Sequence, residues 1–66
     1  MEFTFVFQGM KLTSPDRYIV DQYGNRFMVF EDIRGNKFQI SRDELVIDMA
    51  TGNCTKKNNE VNVKRI

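Results

Sequence analysis

The chain has 66 residues and a mass of 7.8 kDa, which is room for one small domain, 1–66. Ten Lys and Arg stand against nine Asp and Glu, and a net charge of +1 gives little long-range attraction to nucleic acid or anionic lipid. Histidine is absent and cysteine occurs once, which excludes a disulfide framework, the usual zinc sites and His-based acid–base catalysis. No metal and no cofactor are expected. No apolar run approaches the roughly 20 residues of a membrane span. No secretory leader is visible, so the expectation is a cytoplasmic chain.

Along the chain, Glu2–Phe7 alternates, with Phe3, Phe5 and Phe7 on one face and Glu2, Thr4 and Val6 on the other. This predicts a first strand with a buried aromatic face. Gln8–Asp16 breaks the pattern with Gly9, Thr13, Ser14 and Pro15, and reads as a loop. Arg17–Asp21 reads as a second strand, rich in aromatic and β-branched residues. Arg26–Glu31 is a third; its four consecutive apolar residues suggest burial on both faces. Lys37–Ser41 is a fourth, with Phe38 and Ile40 inward. Glu60–Lys64 closes the set, with Val61 and Val63 inward.

The turns carry the most specific local signal. Asp21 to Phe27 and Asp32 to Phe38 share the pattern D-x-x-G-N-basic-F, eleven residues apart. Asp suits the first position of a type I turn and Gly the fourth, where a positive φ closes a short hairpin. Two such turns predict a tight antiparallel meander. Asp48–Asn53 is a looser copy with one extra residue. The turn aspartates lack the spacing of a calcium loop.

Residues 41–52 admit two readings. Ser41-Arg42-Asp43-Glu44 fits a capping box, and a helix over 42–51 would pack on an antiparallel sheet. The adjacent Val46 and Ile47 instead favour one helical turn near 41–45 followed by a strand. The second reading is preferred. The predicted fold is mainly β: a small antiparallel barrel or half-barrel of five to six strands. The stretch 53–59, rich in Asn and Lys, admits both an ordered segment and a mobile loop.

The order of elements resembles the SH3-like small barrel. The residues that carry the resemblance are the loop Gln8–Asp16, the meander Tyr18–Ile40 and the turn Ser41–Leu45. The peptide-binding SH3 family has an Ala-Leu-Tyr-Asp-Tyr-like stretch and a tryptophan pair. This chain has neither, so the resemblance implies a shape and no proline-rich ligand.

An enzyme is not expected. Cys54 has no His to activate it and reads as a surface thiol in an exposed loop. The acidic pairs Glu31-Asp32 and Asp43-Glu44 fall at turn and helix-start positions. Binding is the expected class. Phe3, Phe5, Phe7, Phe27 and Phe38 are core candidates, while Tyr18 and Phe30 fit either face. Tyr23 sits in a turn, and Tyr and Arg are enriched in interface hot spots. Tyr23, Arg26, Arg34 and Arg42 are therefore the candidate contacts of a protein partner. The expected function is a protein-binding module, of the kind by which a bacteriophage or mobile element modulates or inhibits a host protein. A chain this small would also gain stability as a homodimer. The alternative is a nucleic-acid-binding barrel, with Lys56, Lys57, Lys64 and Arg65 on the phosphates. Acids interleaved through the meander weigh against it.

Overall fold

The computed structural model describes all 66 residues, Met1–Ile66. Its first strand, β1 (Phe3–Phe7), follows the alternation of the sequence: Phe3 and Phe5 are buried and Phe7 packs half-buried beside them. A second strand, β2 (Met10–Ser14), returns antiparallel to it with Phe5 opposite Leu12. This segment was expected to be a loop. Gln8 and Gly9 both take positive φ, 49° and 77°, the pattern of a two-residue type I′ turn. Leu12 and Ser14 then point into the core, and the Ser14 hydroxyl donates to the Asp16 carbonyl.

The meander comes next. β3 is only Ile19–Val20, shorter than the predicted Arg17–Asp21. β4 (Arg26–Glu31) and β5 (Lys37–Ser41) match their predicted ranges and pair with Phe30 opposite Phe38. Inward on β4 are Met28 and Phe30, both fully buried, so Phe30 is core. Phe27 faces the other way and is only half-buried, opposite Ile19 on β3 and Ser41 on β5. The expectation of Phe27 in the core fails because alternation assigns that face to Met28 and Phe30.

One 3₁₀ turn (Arg42–Glu44) leads to β6 (Leu45–Ile47). The short turn plus strand is therefore the observed form, and no helix spans 42–51. The capping box does not form: Ser41 makes no side-chain cap, and Glu44 bonds elsewhere. β7 (Asn53–Lys56) lies within the stretch read as a loop, and β8 (Val63–Arg65) closes the chain against β5.

The strands run in the order β6-β7-β1-β2-β4-β5-β8, with β3 joined to β4 beside β2. They curl into an open half-barrel, mostly β with a lone helical turn. The sheet is mixed, because β1 and β7 pair in parallel with Phe5 beside Cys54. The expected purely antiparallel sheet is corrected on this point. The core comprises Phe3, Phe5, Leu12, Met28, Phe30, Ile40, Leu45 and Cys54. Phe7, Phe38, Ile47, Val61 and Val63 pack around it. No buried side-chain nitrogen or oxygen lacks a partner. No helix is long and apolar enough to cross a membrane.

Candidate functional site

The two matching turns hold their neighbours in place. The Asp21 carboxylate accepts the N–H groups of Tyr23 and Asn25, both at 2.9 Å, and the Asn25 side-chain amide. Gly24 N–H donates to the Asp21 carbonyl at 3.1 Å. Asp32 repeats the set with Arg34, Asn36 and Gly35. The Asn shared by the two turns is thereby explained: its backbone and side chain both donate to the turn Asp. The Asn25 N–H holds the Asp21 carboxyl below its ordinary value, and the Asn36 side chain does the same for Asp32. These carboxylates face amides of their own turns, and no cluster of three metal-ligating side chains exists.

Tyr23 rides on the first of these turns, 79% exposed. Arg26, three residues on, pairs with Asp43 in the 3₁₀ turn and lies over the Tyr18 ring, 5.6 Å from its centroid. The ion pair is solvent-exposed and adds on the order of 0–1 kcal/mol. Its role is to fix the direction of Arg26. Arg42 is half-buried and donates to the Leu45 carbonyl at 3.0 Å. Arg34 sits on the second turn, at the opposite end of β4. Strand β4 alone separates the two turns by roughly 17 Å. Of the four residues, Tyr23 and Arg26 thus share one end of the sheet, Arg42 braces the chain near it, and Arg34 lies apart.

The basic residues divide as well. Lys64 lies opposite Gln39 on one face of β8, while Arg65 lies opposite Phe38 and reaches Asn36 Oδ1 at 2.7 Å. Lys56 turns its ammonium to the Asn59 carbonyl, and Lys57 follows it at the end of β7. Successive strand residues project to opposite faces, so Lys64 and Arg65 do not form one stripe.

Two hollows flank these groups. One, of about 360 Å³, lies beside the Tyr23 turn on the outer face of β4, β5 and β8. Phe27 forms its apolar floor, and Asn25, Arg26, Gln39, Asn62 and Lys64 surround it. Arg26 from one candidate set and Lys64 from the other thus line the same hollow. A second hollow, of about 970 Å³, opens where β1 and β7 diverge, lined by Phe5, Phe7, Cys54 and Val61. The segment 59–62 lines its remaining side. Sequence reading missed both, because each joins residues from distant strands.

Cys54 is not the expected surface thiol. Only 6% of it is exposed, and it packs beside Phe5 in the core. Burial pushes its thiol up, away from the reactive thiolate. The polar neighbours Asn53, Thr55 and Lys56 read as a loop, yet in the strand Asn53 and Thr55 take the exposed positions that alternate with Cys54, and Lys56 is exposed at the strand's end.

Set against protein-family models, curated proteins and solved structures, the chain matches none of them.

Proposed function

We propose that this protein is a non-enzymatic binding module that acts by contact with another protein. The observation that supports this is the end of the sheet carrying Tyr23. An exposed Tyr is held by a pre-formed turn, next to a fixed Arg26 and a hollow floored by Phe27. A fixed backbone under Tyr23 and an Arg26 held between Asp43 and Tyr18 lower the ordering cost of docking, which is what a contact surface needs. The wider reading is a chain of a phage or mobile element that binds and modulates, or inhibits, a host protein in the bacterial cytoplasm. The SH3-like description of the half-barrel belongs to this proposal and implies no proline-rich ligand.

Nucleic-acid binding is the weaker reading. Lys64 and Arg65 point to opposite faces, and Glu44 lines the same hollow as Lys64. The test is capture from a host lysate on immobilised wild-type and Tyr23→Ala chains. A protein retained by the wild type and lost with Tyr23→Ala supports the proposal. Equal retention on both removes this surface from it.

A further inference from the structure

The edge of the sheet beside Tyr23 is open. β3 pairs with β4 on one side and with no strand on the other. The side chains of β3 and of Tyr18 just before it are large, apolar and exposed: Tyr18 by 44%, Ile19 by 40% and Val20 by 53%. An uncovered apolar edge is a template for pairing with another strand.

The backbone shows which groups are free. Asp21 N–H donates to the Asn25 carbonyl at 3.0 Å, so Asp21 faces the β4 side. Hydrogen-bonding direction alternates along a strand. Ile19 therefore also faces β4, and the N–H and C=O of Tyr18 and Val20 face outward. The local sequence is Arg17-Tyr18-Ile19-Val20-Asp21, with opposite charges at equal distance on either side of Ile19. Arg17 makes no ion pair within the chain, and the Asp21 carboxylate bonds only groups of its own turn.

We propose that β3 pairs antiparallel with β3 of a second copy of this chain, about a two-fold axis through Ile19. In that register Tyr18 of each copy meets Val20 of the other, and both carry outward backbone groups. Four backbone hydrogen bonds form. Tyr opposite Val is a favourable cross-strand pair. Arg17 of each copy comes beside Asp21 of the other, so the two charges at each end attract. A parallel register would bring like charges together. The interface is isologous and closes at two copies. The antiparallel register carries the two Tyr23 turns to opposite ends of the seam, so the dimer presents the protein-contact surface proposed above once at each end and does not depend on it.

The test is sedimentation equilibrium of the full chain from roughly 10 to 500 μM. The expected mass rises toward that of two chains. Val20→Pro removes an N–H on the free edge and leaves the bonds to β4 in place. Arg17→Glu sets acid beside acid across the axis. Each should weaken the dimer about tenfold or more while circular dichroism stays unchanged. Tyr23→Ala should leave the dimer intact, so loss of partner capture and loss of dimerisation are separable. A single-chain mass throughout the range, a dimer indifferent to both variants, or assemblies larger than two would each overturn the inference.

Discussion

Glu44 and Asn62 clasp the last part of the chain. The Glu44 carboxylate accepts the Asn62 backbone N–H at 3.0 Å and its side-chain amide at 3.3 Å. The Glu44 carbonyl also accepts Lys57 N–H at 2.9 Å. One residue on the 3₁₀ turn therefore holds both ends of the loop 57–62. That closure sets where β8 starts, brings Val61 and Val63 onto the core, and places Lys64 in the hollow near Tyr23.

A double-mutant cycle measures the clasp. Glu44→Ala and Asn62→Ala should each lower stability in urea, with a coupling of about 0.5–1.5 kcal/mol between them. Trypsin should cut after Lys56 or Lys57 faster in either variant. Strictly additive effects, with unchanged cleavage, would mean that the loop is held by other contacts.

Two glycines separate conformational strain from collision. Both Gly24 and Gly52 have φ near +80°, a region that strains any other residue. A Cβ at Gly24 meets nothing within 4 Å, whereas one at Gly52 would stand 2.3 Å from the Glu2 carbonyl oxygen. Gly24→Ala should cost about 1 kcal/mol. Gly52→Ala adds a backbone clash and must shift β1 from β7, so its loss should be several-fold larger. Equal denaturation midpoints for the two variants would contradict the close β1–β7 approach.

Acid should weaken the meander through Asp21 and Asp32. Amides from Asn25 and Asn36 lead the causes that hold both carboxyls below their ordinary 3.8 in the fold. A lowered folded value means the stabilisation is complete above the unfolded value and lost as pH falls through the folded one. Urea midpoints should therefore hold steady down to about pH 4 and drop below it. Asp21→Asn or Asp32→Asn should be less stable than wild type at neutral pH, with the difference shrinking in acid. A difference that grows in acid would reverse the assignment.

Cys54 should label slowly. A thiol packed against Phe5, with burial pushing its pKa up, reacts only when β7 opens. Modification by a thiol reagent should match the unfolded rate only in denaturant. Immediate labelling of the native protein would place Cys54 outside the core.

Much of this architecture is written in local pattern. The alternating Phe3-Thr4-Phe5 and Lys37–Ser41 segments, and the paired Asp-Gly-Asn turns, carry their own geometry. β2 was hidden because Gln8-Gly9 lacks the Asn-Gly signature of a type I′ turn, and because Pro15 and Asp16 follow so closely. β7 pairs antiparallel with the adjacent β6 and parallel with the distant β1; it was hidden because only its Cys54 is buried among exposed polar residues. Phe27 and Phe30 have the same chemistry; only the register of β4 against β5 decides which of them is core. For the same reason Tyr23 and Arg26 could be grouped from their spacing, while the hollow shared with Lys64 could not. The separation of Arg34 follows from the length of β4, once that strand is known to run from one turn to the other.

The most direct measurement for the proposed protein-binding role is fluorescence anisotropy with labelled single- and double-stranded oligonucleotides at roughly 50 and 200 mM salt. The account predicts no binding at either salt, since Lys64 and Arg65 face opposite sides and acids stand between the basic groups. Binding at low salt that falls steeply at high salt, and that weakens with Lys64→Ala, would contradict it and make nucleic acid the ligand.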